Sequence, residues 1–184
     1  IDSLIESEIN KMNQKKINNP IKIQQKIDDA LAIIKSIGLP KGQQNERSAL
    51  TLLALLGLKP KEKWNELKSP LMGITPIMDF IKDYYGKNYA PNTRETFRRQ
   101  TMHQFVEAGI AVSNPDKPDR PINSPYWVYQ IENNTLNLCK AFGSNNWESL
   151  LSDFLKIQKS LAEKYAKERE MMLIPLKISA EIEI

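Results

Sequence analysis

The chain has 184 residues, of which 41% are hydrophobic and 26% are charged. This mixture is typical of a globular protein and excludes wholesale disorder. The net charge is only +4, too small by itself to indicate a nucleic-acid partner. The whole excess lies between residues 39 and 143, which carry 14 basic and 10 acidic side chains.

Cysteine and histidine are scarce: Cys139 and His103 are single occurrences of their residue types. One cysteine excludes an internal disulfide framework, and the two residues together cannot supply a closed zinc site of such ligands. The sequence contains neither an apolar run of membrane-spanning length nor the hydrophobic core of a signal peptide. We therefore expect a cytoplasmic protein with no membrane partner.

The first 38 residues predict a pair of amphipathic helices. Apolar residues recur at helical spacing over 1–17 and again over 21–37, with Asn18-Asn19-Pro20 between them. Proline commonly ends a helix, and Gly38 is suited to close the second one. Residues 1–38 are therefore expected to form an antiparallel helical pair.

Residues 39–143 predict a mainly α domain, a winged helix-turn-helix with flanking helices and a small β-hairpin wing. A helix is expected over 45–56, and a second over 76–85 with Thr75 as its N-cap. A third helix is expected to run from residue 90 to about 108. Strands at 110–113 and 126–131, separated by a proline-rich turn region, would form the wing.

The carboxyl-terminal region predicts more helices and then an interrupted sheet. Helices are expected over 136–142, 147–155 and 158–172, with 144–173 as a helical linker. Residues 174–184 read as strands that would need a partner to pair with. These residues are therefore predicted to begin a further domain that is missing from the chain.

The third helix carries the candidate base contacts. At 100° per residue the predicted core stripe is Phe97, Thr101, Phe105 and Ala108. The opposite side and its margin present the candidates for base edges, which are Asn92, Thr96, Arg99, Gln100 and His103. Arg suits guanine, and Asn or Gln suit adenine, in a groove wide enough for a helix. The candidates for backbone contacts are Thr93, Arg94, Arg98, Lys117 and Arg120.

No active site is predicted from the residues. Glu66-Leu67-Lys68 matches half of a nuclease metal motif but lacks a Pro-Asp pair at a suitable distance before it. Cys139 has apolar neighbours and is expected to be a buried thiol. Trp127 and Tyr129, on one face of the second strand, are expected to belong to the core. We expect no cofactor in this chain.

Four sequence blocks resemble the amino-terminal region of the BsuBI/PstI family of type II restriction endonucleases. The blocks are GITPIMD at 73–79, YAPNTRETFRRQTMHQF at 89–105, NPDKPDRPINSP at 114–125 and AEKYAKER at 162–169. The resemblance implies a helix-turn-helix DNA-recognition domain in front of a Mg²⁺-dependent nuclease domain. It also implies homodimers that cut short palindromes, CTGCAG for the named members. No catalytic residue of the family has a matching position here, so enzymatic activity of this chain is left open.

Two other functions remain as alternatives. The chain could be a complete winged-helix transcriptional regulator, with the terminal helices used for dimerisation. It could instead be a helical interaction module that does not contact nucleic acid. The resemblance and the unpaired end of the chain favour a DNA-recognition domain.

Overall fold

The computed structural model describes the backbone of residues 2–182, together with the side chains of 2–11, 20–164 and 166–171. The helices are α1 Asp2–Ile37, α2 Glu46–Leu55, α3 Ile74–Tyr85, α4 Arg94–Thr96, α5 His103–Glu107, α6 Asn133–Lys140 and α7 Trp147–Ile182. Short 3₁₀ turns occupy Lys41–Gln43, Trp64–Glu66 and Pro91–Thr93. The strands are β1 Ala111–Ser113 and β2 Tyr129–Ile131.

Helix α2 lies at the centre of the core. Its N-cap, Asn45, accepts a hydrogen bond from the backbone N–H of Ser48 at 2.9 Å, which satisfies one of the free donors of the first turn. Every residue from Ser48 to Leu55 is buried. The helix predicted over 45–56 is confirmed, and its all-round burial explains why it is apolar on nearly every side.

The predicted N-terminal helix pair is wrong, because α1 is one helix from Asp2 to Ile37 with Pro20 inside it. Proline removes one helical hydrogen bond, but the turns on either side keep theirs. The two apolar repeats also share one frame, since Ile9 and Ile23 are two heptads apart. Gly38 ends the helix with a positive φ of 88°, as expected. The domain division at residue 38 stays a prediction.

Beyond residue 146 the predicted division into two helices and two strands is also wrong. One helix, α7, replaces the helices predicted over 147–155 and 158–172, and it continues to Ile182 through the predicted strands. A helix makes its backbone hydrogen bonds within its own segment, whereas a terminal strand needs a neighbour. Residues 183–184 lie outside the described residues. The further domain predicted to begin at residue 174 stays a prediction.

The helices of the middle region form where they were predicted, with one correction at a cap. Helix α3 begins at Ile74 with Gly73 in the cap position, so Thr75 lies inside the first turn and is not the N-cap. Gly86 ends α3 in the left-handed conformation, with φ 71°. The predicted helix 136–142 corresponds to α6, which is capped by the carboxylate of Glu132.

The two strands pair antiparallel, with Ala111 opposite Ile131 and Ser113 opposite Tyr129. Met72 extends this pairing, because its backbone exchanges hydrogen bonds of 2.9 Å in both directions with that of Tyr129. The second strand is shorter than predicted, since Tyr126 belongs to the preceding turn and residues 127–128 lie outside the strand. The described chain is therefore mainly helical, with a small antiparallel hairpin after its third helical segment.

Candidate nucleic-acid interface

The third helical segment, residues 91–107, contains a π-helical turn at Phe97–Met102 between α4 and α5. Phe97, Thr101, Met102 and Phe105 are each 0% exposed. These positions are i, i+4, i+5 and i+8, which is an α-helical stripe with one residue inserted after the first. A π turn accommodates such an extra residue, and π turns are frequent at functional sites. The core stripe was predicted except for Met102, which sequence reasoning missed.

The inserted residue leaves Arg98, Arg99 and Gln100 exposed in succession, and their surroundings differ. Arg98 and Arg99 line a cleft against the hairpin. Gln100 lies on the side of α2, where its Oε1 accepts a hydrogen bond from Arg47 Nη2 at 3.1 Å. Arg47 also donates from Nε to the Thr101 hydroxyl at 3.0 Å. The same arginine thus ties the segment to α2 on one side of the exposed row.

The remaining base-contact candidates lie along the same segment. Asn92 and His103 are exposed, whereas Thr96 is half-buried. His103 lines the cleft beside Arg99. The structure therefore brings Arg99 and His103 together, and it places Gln100 on another side of the segment.

Two carboxylates accompany these side chains. Glu95 forms an ion pair with Arg99, whose Nε lies 3.0 Å from Oε2, and its Oε1 lies 3.8 Å from Arg98 Nη1. Glu107 lies 3.2 Å from His103 Nε2. Spacings of three and four residues on a helix predict such pairs, so the pairing of Glu107 with His103 could have been found from the sequence. Both carboxylates lie on the surface proposed for DNA.

The cleft between the segment and the hairpin encloses about 360 Å³. Its apolar lining includes Met102, Val106 and Trp127, and Ile122 stands at its edge with 77% of its surface exposed. Tyr129 is buried here, as predicted, and burial raises the pKa of its hydroxyl. Trp127 is half-buried and packs against the core.

A second, smaller cleft of about 150 Å³ lies between the start of α3, the hairpin turns and the arginines of the segment. Arg94 and Arg98 line it together with Thr75 and Asn123. Thr93, another candidate for backbone contacts, is half-buried in the preceding turn. Both arginines are therefore turned toward the hairpin side of the segment.

The turns of the wing, which we define as residues 111–131, are held by an internal cluster. Asn114 is 2% exposed and has a positive φ of 49°, and its Oδ1 accepts from Val128 N–H at 3.0 Å and from Arg120 Nη1 at 2.9 Å. Arg120 also forms a two-pronged pair with Asp116 at 2.8 and 3.1 Å. The hydrogen bond from Arg120 holds the pKa of Asp116 below its usual range.

The cluster around Asn114 affects one of the two predicted backbone contacts in the wing, Arg120, and leaves the other, Lys117, exposed. The Arg120 side chain is only 11% exposed, so its geometry favours shaping the wing over contacting phosphate. Lys117 is exposed and remains free to reach a ligand. The contacts of both residues with DNA stay predictions. The neighbouring Asp116 gave a signal for the pair, since Asp at i and Arg at i+4 are oppositely charged.

Cys139, Glu66 and Lys68, for which no catalytic role was predicted, make structural contacts. Cys139 is buried, as predicted, and burial raises its pKa to about 12. Glu66 caps its own turn by accepting from Lys63 N–H, and Lys68 pairs with Glu62. Among the described residues no group of three or more His, Cys, Asp or Glu side chains could hold a metal ion. These residues do not fit the Mg²⁺ that the resemblance implies for a nuclease domain.

No helix within the described residues is long and apolar enough to cross a membrane.

Comparison with protein families matches residues 24–163 to the BsuBI/PstI restriction endonuclease HTH domain. The chain belongs to this family. Its sequence is 56% identical over 158 residues to the type II restriction enzyme BsuBI of Bacillus subtilis, covering 86% of this chain and 50% of the relative. It is 37% identical over 163 residues to the type II restriction enzyme AplI of Arthrospira platensis, covering 88% of this chain and 50% of that enzyme.

A solved structure agrees with this assignment. The SdaI restriction endonuclease superposes with a TM-score of 0.67 at 41% identity, covering 71% of this chain and 41% of that one. The chain spans about half the length of the curated relatives it matches. The predicted membership of the BsuBI/PstI family is confirmed, and these relatives give no support to the transcriptional-regulator alternative.

Proposed function

We propose that this HTH domain recognises a specific sequence in double-stranded DNA, with the 91–107 segment in the major groove and the wing beside it. The observation that carries the proposal is the set of exposed polar side chains on this segment at Asn92, Arg98, Arg99 and His103. Arginine and amide side chains on an exposed helix match the donor and acceptor patterns of base edges. Membership of a restriction endonuclease HTH family supports the same function.

We assign base contacts first to Arg99 and Asn92, then to Gln100, His103 and Thr96. Arg99 has an 80% exposed side chain, so its guanidinium can reach a base edge. The proposed backbone contacts are Thr93, Arg94, Arg98 and Lys117, which would position the protein without specifying sequence. Arg120 would act by holding the shape of the wing.

We further propose that the domain works in a type II restriction enzyme that cuts a palindromic site as a homodimer. A two-fold symmetric protein would place two copies of the 91–107 segment on the two half-sites. The Mg²⁺-dependent cleavage would then belong to a nuclease domain outside the described residues. The stoichiometry of the complex, measured by sedimentation with a palindromic duplex, should be two chains per duplex.

The deciding experiment is a fluorescence-anisotropy titration with a duplex containing CTGCAG and with a scrambled duplex, at two salt concentrations and without Mg²⁺. A preference for CTGCAG that survives added salt is expected. Arg99→Ala should reduce that preference by about 5- to 150-fold, since a bidentate base contact contributes about 1–3 kcal/mol. The matched control is Lys140→Ala, which removes one positive charge at the end of α6 and should leave the preference unchanged.

Other results would change the proposal. Equal, salt-sensitive binding to both duplexes would indicate a different target sequence or a need for further parts of the enzyme, and selection from a random duplex library would separate these. An absence of binding to any duplex would contradict the proposal. It would favour the helical interaction module.

A further inference from the structure

We propose that Glu95 is a positioning residue for sequence recognition, which orients the Arg99 guanidinium toward guanine. This inference rests on the proposed function, and it adds a role for an acidic residue on a surface that binds a polyanion. Glu95 and Arg99 are one helical turn apart on the exposed side of the 91–107 segment. Neither residue is required for the core, because their side chains are 58% and 80% exposed.

The contact between Glu95 and Arg99 leaves the terminal nitrogens of the guanidinium available to donate to DNA. Glu95 Oε2 lies 3.0 Å from Arg99 Nε in an ion pair, so the contact is made to the guanidinium nitrogen nearest the backbone. In the planar guanidinium the outer N–H bonds of Nη1 and Nη2 lie parallel to each other at the end farthest from Nε. They can donate in parallel to O6 and N7 of guanine, which is the commonest specific contact in the major groove.

Restraining the Arg99 side chain before binding should affect discrimination between DNA sequences more than the affinity for DNA of any sequence. A long exposed side chain loses rotamer freedom when it is held on a base, and a carboxylate that already restrains it reduces this loss. The same carboxylate repels the phosphates of every sequence. Glu95 should therefore weaken binding to all duplexes while increasing discrimination among them.

Arg98 does not share this arrangement. Its Nη1 lies 3.8 Å from Glu95, too far for a hydrogen bond, and its side chain lines both clefts beside the wing. The two neighbouring arginines therefore differ: Arg99 holds a 3.0 Å ion pair with Glu95 through Nε, and Arg98 lies toward the wing.

The test compares Glu95→Gln with Asp119→Asn. Both variants remove one negative charge from an exposed residue beside the proposed DNA surface, but Asp119 lies in the wing, and no ion pair joins it to a proposed base contact among the described residues. Affinity is measured for the CTGCAG duplex, or for the site that a random library selects, and for a scrambled duplex. A third duplex carries 7-deazaguanine, which lacks the N7 acceptor, at each guanine in turn.

We expect Glu95→Gln to bind the scrambled duplex more tightly than wild type while its discrimination ratio falls by about 5- to 10-fold. Its loss of affinity on 7-deazaguanine substitution should be smaller than that of wild type, and Arg99→Ala should show none at the same guanine. Asp119→Asn should tighten binding to both duplexes equally and keep the ratio. Circular dichroism should show the same helix content in all variants.

Two results would overturn the inference, and they can be told apart. If Glu95→Gln keeps the wild-type ratio and the wild-type sensitivity to 7-deazaguanine, Glu95 acts only through its charge. If wild type itself prefers no duplex from the random library, the proposed function fails, and the role of Glu95 fails with it.

Discussion

Tyr85, the last residue of α3, provides a sharp test of how the first part of the HTH region is anchored. Its side chain is buried, and its hydroxyl donates to the Leu58 carbonyl at 2.6 Å. Burial raises the pKa of this hydroxyl, so it stays a protonated donor throughout the neutral range. The bond joins the end of α3 to the turn that follows α2.

Tyr85→Phe would keep the ring and remove the donor. Leu58 is 0% exposed, so its carbonyl would lose a partner without gaining access to water. A lost hydrogen bond costs about 0.5–1.5 kcal/mol, and an unsatisfied buried group costs about 1–3 kcal/mol. We expect the free energy of unfolding to fall by about 2 kcal/mol.

Urea denaturation followed by circular dichroism measures this loss, with an unchanged slope showing that the unfolded state is not altered. The control is Tyr84→Phe, because Tyr84 is 38% exposed and its hydroxyl has no hydrogen bond among the described residues. That substitution should change stability by less than about 0.5 kcal/mol. Equal effects of the two substitutions would refute the reasoning from burial and bonding.

Three further predictions concern the wing and the core. Lys117→Ala should weaken binding to all duplexes and lower the slope of log affinity against log salt concentration by about one. Arg120→Ala should instead increase hydrogen exchange of the wing amides. If Arg120→Ala changes only the salt dependence of binding, holding the internal cluster together is not the main role of Arg120. The pKa of Asp116 is lowered in the folded protein, so the ionised carboxylate stabilises the fold at pH values above its unfolded pKa. This contribution is lost as the pH falls through the pKa of the folded state. The difference in free energy of unfolding between wild type and Asp116→Asn, measured by urea denaturation, should therefore be constant near neutrality and shrink in acid. Cys139, with its pKa raised to about 12, should react with a disulfide reagent only as fast as the protein opens, and rapid reaction under native conditions would contradict its burial.

Much of the middle region could be predicted because local signals and tertiary packing agree there. Gly86 and Gly109 take positive φ angles at the predicted helix ends. The apolar spacing of Phe97 and Phe105 identified buried positions. Antiparallel pairing of the hairpin followed from β-rich segments separated by a turn. Such signals act over a few residues and need no knowledge of distant partners.

Other features depended on interactions that a local pattern does not contain. Pro20 is a helix breaker in isolation, yet α1 continues through it. Met102 is buried within the π turn, whereas the prediction assumed a uniform 100° per residue and did not include it in the core stripe. Arg120 looked like a phosphate contact because arginine is usually exposed, but the positive φ of Asn114 brings an acceptor to it. For the candidate site, the sequence identified the helix but not the orientation of each side chain.

Because of the π turn, the number of residues between Phe97 and Thr101 determines which side chains the segment exposes for the proposed DNA recognition. Deleting one residue from 98–100 would restore ordinary α-helical spacing to the buried stripe, since the positions of Phe97, Thr101, Met102 and Phe105 would become i, i+3, i+4 and i+7. The core could then remain intact while the outward row shortened from three side chains to two. A deletion at this turn would thus change the proposed recognition surface of this domain without altering its hydrophobic interior.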